Sequence, residues 1–126
     1  MMSMDDVQCY IDESVNNLPA EIFDRLNGGV IILPDTVRSP HDDNLYITGT
    51  YRCEIPGMGR YITIYYGSLC KIIAHASVTA QKEMLTRVLH HELTHHLESL
   101  AGVRDLEYED AEFIRKYKAG KTHDAM

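Results

Sequence analysis

The hydrophobic positions near the start of the chain recur at helical spacing. After Asp5 and Asp6, which can cap a helix, apolar side chains follow three or four residues apart. These positions are Val7, Tyr10, Ile11, Val15 and Leu18. Pro19 then opens the segment "PAEIFDRL", and the glycines of "NGG" follow it. The pattern predicts an N-terminal helix, a break, and a second short helix or a single turn.

The middle of the chain changes to strand-like patterns. "VIILPD" is a β-branched run that ends at Pro34, "LYITGTYR" is β-prone with a bulge or bend expected at Gly49, and "RYITIYYGSL" partly alternates. These three segments are predicted strands. The polar segments "TVRSPHDDN" and "CEIPGMG" are predicted loops, and "LCKIIAHA" is a predicted short helix.

Helical spacing returns in the last third of the chain. A long helix is predicted from Thr79 to Ala101, stopped by Gly102, and a last helix from Glu107 to Lys118. The long helix carries a leucine face that we expect to pack on the sheet, formed by Leu85, Leu89, Leu93, Leu97 and Leu100. Strands that run together between helices indicate an α+β fold, with one domain over residues 1–126 and a small mixed sheet.

Composition narrows the functional classes. A formal net charge of -7 argues against nucleic acid and anionic membrane surfaces as partners. The start of the chain does not resemble a signal peptide, and no apolar run reaches the roughly 20 residues of a membrane span. Cys9, Cys53 and Cys70 are odd in number and far apart, which favours reduced, buried or half-buried thiols in a cytoplasmic protein. The oligomeric state is not indicated.

The long helix contains the string His91-Glu92-Leu93-Thr94-His95, which reads H-E-x-x-H. Two histidines four residues apart lie on one helix face, where both rings can reach one zinc ion. Glu92 is turned about 100° from His91, so it would flank the metal as a general base. The string therefore predicts zinc ligands at His91 and His95 and a catalytic role for Glu92.

An ordinary amphipathic helix with solvated histidines is the competing interpretation, because three fixed letters match by chance in many proteins. His90 and His96 adjoin the motif but point elsewhere, and His96 is expected to pack near the edge of the leucine face. The remaining histidines, His41, His75 and His123, have no ligand-like spacing.

Several segments outside the motif resemble the minimal zincin family of small bacterial metallopeptidase-like proteins. The resemblance runs in order from about Asp6 to Asp110. The segments that carry it are "YIDESVNNLPAEIFDRL", "GVIILPD", "LYITGTYRCEIP", "RYITIYYGSL" and "VLHHELTHHL". Ser68 stands where the family commonly has Pro. The resemblance implies a zincin-like fold, with a small sheet packed on the helix that carries H-E-x-x-H and an edge strand above the metal. We expect "RYITIYYGS" to form the wall of that cleft.

The third metal ligand is less well defined by the resemblance. The family pattern continues as x-x-Gly-x-x-Asp after the motif, but here "ESLA" is inserted before the Gly, and the matching residues are Gly102 and Asp105. Asp105 is therefore the first candidate for the third ligand. Glu107, Glu109 and Asp110 are alternatives from the following acidic segment, and Glu98 is another, seven residues after His91 on the same helix.

The functional hypothesis is a zinc metallopeptidase that cleaves peptides or proteins, with Glu92 as general base for a metal-activated water. The alternative is a zincin-fold zinc-binding module with weak or no catalysis that acts through protein partners. The extra helical turn after His95 keeps this alternative open.

Overall fold

The computed structural model describes residues 1–55 and 59–101. Within these residues, three helices and five strands follow in the order α1, β1 to β5, α2 and α3, with a short 3-10 turn after α1. The helices are α1 (Met4–Asn16), α2 (Tyr66–Ile73) and α3 (Val78–Leu100), and the turn is Ala20–Phe23. The strands are β1 (Gly29–Leu33), β2 (Val37–Ser39), β3 (Asp42–Ile47), β4 (Gly49–Ile55) and β5 (Gly59–Tyr65). The predicted last helix lies outside the described residues.

Helix α1 begins at Met4, two positions earlier than a cap at Asp5 would place its first residue. The Ser3 side chain accepts a hydrogen bond from the Asp6 backbone N–H at 3.1 Å, so Ser3 is the N-cap. Asp5 and Asp6 lie in the first helical turn, where negative charge favours the N-terminal dipole. The predicted cap was therefore wrong, although the helix and the break after it are present.

Strands β1, β5 and β4 form a three-stranded sheet in that order. β1 pairs with β5 in parallel, and β4 pairs with β5 antiparallel. The sheet is therefore mixed, as predicted for the α+β class. Its middle strand is β5, whose Ile62 and Ile64 are fully buried.

Part of the segment predicted as a polar loop forms a hairpin of β2 and β3. The "LYITGTYR" segment divides at Thr48, so that its first half belongs to this hairpin and its second half to the larger sheet. Ser68 of α2 holds the hairpin, since its hydroxyl accepts from the Val37 N–H at 2.9 Å and donates to the Val37 carbonyl at 3.2 Å. Short polar strands of this kind depend on such distant partners, and local pattern does not reveal them.

Strand β5 ends at Tyr65, and α2 begins at Tyr66, inside the segment predicted as strand. A Cβ at Gly67 would lie 2.7 Å from the Pro34 carbonyl oxygen, so this first turn of α2 packs directly on the chain that leaves β1. The predicted strand was correct up to Tyr65 and wrong beyond it.

Helix α3 is the central helix of the core and matches its predicted limits within one residue. The Ser77 side chain caps it by accepting from the Ala80 N–H at 3.1 Å. The core that α3 shares with the sheet and α1 contains, among others, Val7, Ile11, Ile62, Ile64, Leu85, Val88, Leu89 and Leu93.

The leucine face of α3 is only partly correct. Leu85, Leu89 and Leu93 are buried, but Leu97 is 43% exposed and Leu100 is half-buried. The buried face also takes in a neighbouring row, formed by Gln81, Met84, Val88, Glu92 and His96. The histidine pair thus lies at the edge of the buried face of α3 and not opposite to it.

Two expectations from the sequence concern membrane-spanning helices and the cysteines. Within residues 1–55 and 59–101, no helix combines the length and apolarity that crossing a bilayer requires. The three cysteines form no disulfide. Cys70 is half-buried as expected, whereas Cys9 and Cys53 are exposed, so the expectation of burial was wrong for these two.

Candidate metal centre

His91 and His95 bring their imidazole nitrogens together on one side of α3. The two Nε2 atoms are 3.2 Å apart, and the rings meet edge to face at 89° with centroids 4.7 Å apart. Two nitrogens that each lie about 2.0–2.1 Å from one tetrahedral zinc ion are about 3.3–3.4 Å apart. The observed separation therefore fits two ligands of one ion.

The short distance between these nitrogens also constrains their protonation. If both rings were neutral and carried the proton on Nδ1, two lone pairs would face each other across 3.2 Å. A proton on one Nε2, or a cation bound to both, removes that repulsion. Imidazole nitrogens are common zinc ligands, so the donor chemistry agrees with the geometry.

Glu92 completes a group of three donors with the two histidines. Ligand atoms from His91, Glu92 and His95 all lie within 4.8 Å of one another, and this group could hold a metal ion. The Glu92 Oε2 lies 4.0 Å from His91 Nε2. Two co-ligands of a tetrahedral zinc would be closer, at about 3.3–3.4 Å. The longer distance suits a carboxylate beside the metal better than a ligand.

Strand β4 lies directly beside Glu92. A Cβ added at Gly49 would lie 2.9 Å from Val88 Cγ1 and 3.4 Å from Glu92 Cγ, so glycine allows the strand backbone to approach α3 closely. Glu92 is 6% exposed in this packing. The backbone of β4 therefore forms one wall around the candidate general base.

The strand predicted for this wall was "RYITIYYGS", which corresponds to β5. That expectation was wrong, because β5 is paired on both sides and has no open edge. Within the described part of the chain, β4 pairs with β5 and with no other strand. β4 is thus the edge strand on the side of Glu92.

His96 follows His95 directly but is fully buried and hydrogen-bonded to the protein itself. Its Nε2 lies 2.8 Å from the Asp24 carbonyl oxygen, and its Nδ1 lies 2.8 Å from the Tyr51 hydroxyl. A carbonyl only accepts, so Nε2 carries the proton and Nδ1 accepts from Tyr51. Burial, opposed by the contact with Asp24, lowers the pKa of His96 below its ordinary value. His96 is a packing residue, as its place on the helix predicted.

Arg60 extends this network towards the end of α3. Its guanidinium donates to the Tyr51 hydroxyl at 3.1 Å and also to Ser99 Oγ. The hydrogen bond to the Tyr51 hydroxyl is the main cause that raises the pKa of Arg60. Four side chains from β4, β5 and α3 are therefore joined next to the histidine pair.

Within the described part of the chain, none of the other predicted ligands lies in this group. Glu98 is half-buried on α3, but it does not belong to the set of donors within 4.8 Å. Asp105, Glu107, Glu109 and Asp110 all lie outside the described residues. The predictions for the third ligand therefore stay predictions. Of the other histidines that the structure describes, His41, His75 and His90 are exposed.

Sequence reasoning missed the roles of Gly49, Tyr51 and Arg60. Gly49 carried one usable signal, since a glycine within a β-prone segment can mark a close backbone approach. Tyr51 and Arg60 carried none, because their partners are 45 and 39 residues away in the chain.

Comparison with known proteins gives the fold a precedent. No protein-family profile matches the sequence, and no curated protein matches it significantly. Among solved structures, the chain is similar to a conserved hypothetical protein from Thermus thermophilus, with a TM-score of 0.72 and 25% sequence identity. The match covers 79% of this chain and 98% of that chain. The arrangement of helices and strands is therefore shared along nearly the whole of that protein.

Proposed function

We propose that this protein is a zinc-dependent metallopeptidase with a zincin-like fold, similar to the minimal zincin family. The observation that carries the proposal is the group of His91, His95 and Glu92 on α3. Its two Nε2 atoms are spaced as co-ligands of one ion, and its carboxylate is spaced as a neighbour of that ion. The edge strand β4 beside the group supports the same assignment.

The metal would supply the electrophilic part of the chemistry. When bound, zinc polarises a carbonyl group and lowers the pKa of a water molecule to about 7. His91 and His95 hold it through Nε2. The third protein ligand in this proposal is Asp105, with Glu107, Glu109, Asp110 and Glu98 as alternatives.

Glu92 supplies the proton transfers. Its carboxylate accepts a proton from the attacking water and then delivers this proton to the leaving amine. Gly49 of β4 lies against its Cγ and the side chain is only 6% exposed, so the space open to the carboxylate is limited. A fixed base loses less entropy when the substrate reaches it.

The substrate in this proposal is an extended segment of a peptide or protein. An edge strand offers unpaired backbone N–H and C=O groups, and an extended peptide can pair with them as an additional strand. β4 offers such an edge next to Glu92. Nucleic acid and membrane surfaces are not proposed as partners, since the net charge is -7. The proposal also includes a cytoplasmic location, for which the support is the cysteine pattern.

The test compares the wild-type protein with Glu92→Gln, which removes the base and preserves the size of the side chain. Each protein is loaded with zinc and incubated with a mixture of peptides of varied sequence, and cleavage is read by mass spectrometry. We expect cleavage by the wild type and a loss of about 10²- to 10⁴-fold in the variant. Zinc content should stay near one ion per chain in both.

Two outcomes would change the proposal. Loss of zinc from Glu92→Gln would make Glu92 a ligand and not a base. Stoichiometric zinc without any cleavage by the wild type would favour the alternative, a zinc-binding module that acts through protein partners.

A further inference from the structure

We propose that Tyr51 is a positioning residue, which acts through His96 to fix the position of strand β4 along the axis of helix α3. The inference deepens the proposed function and rests on it, because β4 is the wall beside Glu92. The Tyr51 hydroxyl is hydrogen-bonded to His96 and Arg60. Its effect on the site passes through the placement of the strand.

The strand and the helix are joined at two points with matching spacing. On β4, Gly49 and Tyr51 are two residues apart and face the same side, which corresponds to about 6.6 Å along a strand. On α3, their neighbours Glu92 and His96 are four residues apart, which corresponds to about 6 Å along a helix. Gly49 lies against Glu92, and Tyr51 is hydrogen-bonded to His96. The two contacts therefore fix one register between the elements.

In the hydrogen bond between Tyr51 and His96, the donor and the acceptor follow from the other partners of these two residues. His96 Nδ1 must accept, because Nε2–H is used by the Asp24 carbonyl. Tyr51 must then donate its hydroxyl proton to His96, and its oxygen accepts from Arg60. For a neutral His96 imidazole this is the only assignment of protons that satisfies the three bonds, and sliding β4 along α3 would break the network.

The backbone pairing of β4 makes this side-chain contact more important. β4 pairs regularly with β5 from Gly49 to Arg52, and the register then shifts before Ile55. Tyr51 lies one residue before the end of the regular part. Its side chain therefore anchors the edge strand just before the backbone ladder becomes irregular.

The experiment measures zinc affinity of Tyr51→Phe against a matched control, Tyr66→Phe. Both changes remove only a hydroxyl with a close hydrogen bond, since the Tyr66 hydroxyl donates to the Met2 carbonyl at 2.6 Å. Met2 also contacts Gln81 of α3, which precedes His91 by about 15 Å along the helix. The full chain is titrated with zinc against a chromophoric chelator, and the Co²⁺-substituted proteins are compared by visible absorption.

We expect Tyr51→Phe to raise the zinc dissociation constant by about threefold to tenfold. Removing a group that is hydrogen-bonded directly to a metal ligand typically has an equal or larger effect. The Co²⁺ absorption bands should shift in this variant. Tyr66→Phe should stay within about twofold of the wild type with unchanged bands, although both variants are less stable to urea.

Equal zinc affinity and identical Co²⁺ spectra for both variants would overturn the inference and leave the proposed peptidase intact. A wild-type protein that binds no zinc would overturn both. Zinc binding that responds to Tyr51→Phe in a protein that cleaves no peptide would support the inference and refute the peptidase.

Discussion

His95 and His96 are neighbours in sequence, on the same helix, and have opposite surroundings. His96 is fully buried, and both of its ring nitrogens are hydrogen-bonded within the core. His95 is half-buried and places its Nε2 against that of His91. A rotation of about 100° around the helix separates a structural histidine from a candidate ligand. The number of histidines near a motif therefore does not identify metal ligands, whereas the partners of each ring nitrogen distinguish a structural histidine from a candidate ligand.

The largest expected effect tests the ligand half of this comparison. His95→Ala should lose stoichiometric zinc, because one imidazole is removed from a pair that is spaced for one ion. His90→Ala is the matched control, since His90 is exposed on the same helix. Metal content after gel filtration, read by elemental analysis, separates the two. Stoichiometric zinc retained by His95→Ala would refute the assignment of the site.

The next effect tests the structural half. His96→Leu keeps a buried side chain of similar bulk but removes the hydrogen-bond donor of the Asp24 carbonyl and the acceptor of the Tyr51 hydroxyl. We expect a loss of about 2–4 kcal/mol in the free energy of unfolding. Urea denaturation followed by circular dichroism measures it.

His96→Leu should differ from His95→Ala in its metal content, because zinc should stay near one ion per chain when His96 is replaced. If this variant instead lost its zinc and kept its stability, the roles assigned to the two neighbours would be exchanged.

A smaller effect concerns the wall beside the site. Gly49→Ala would place a Cβ 2.9 Å from Val88 Cγ1 and 3.4 Å from Glu92 Cγ, so β4 or Val88 must move. We expect a loss of about 1–3 kcal/mol in stability, together with slower peptide cleavage. The control is Thr50→Ala, the next residue on β4, which loses a 3.4 Å contact with the Tyr65 hydroxyl. Comparable cleavage rates in both variants would show that the close approach of β4 is unimportant for the site.

Much of the fold could be predicted from the sequence where one pattern runs long enough. Helix α3 was placed within a residue because its apolar spacing persists from Leu85 to Leu100 and Gly102 was expected to stop it. The hairpin of β2 and β3 was missed because its strands are short and polar. Ser68, which holds that hairpin, comes from a distant part of the chain.

The candidate site divides in the same way. The pairing of His91 with His95 follows from helix geometry, so it was accessible from spacing alone. The wall was assigned to β5 within the family resemblance, whereas strand order in a sheet depends on pairings between distant segments. The network of Tyr51, His96 and Arg60 was hidden for the same reason.

The parallel pairing of β1 with β5 has a consequence for the order of folding. β4 and β5 follow each other and pair antiparallel, so they meet after closing a short loop. β1 can join β5 only when the intervening chain, which carries β2, β3 and β4, has been enclosed. We therefore expect the hairpin that contains Gly49 and Tyr51 to form early and β1 to dock late. The surface that lines the candidate site would then be assembled before the sheet is complete.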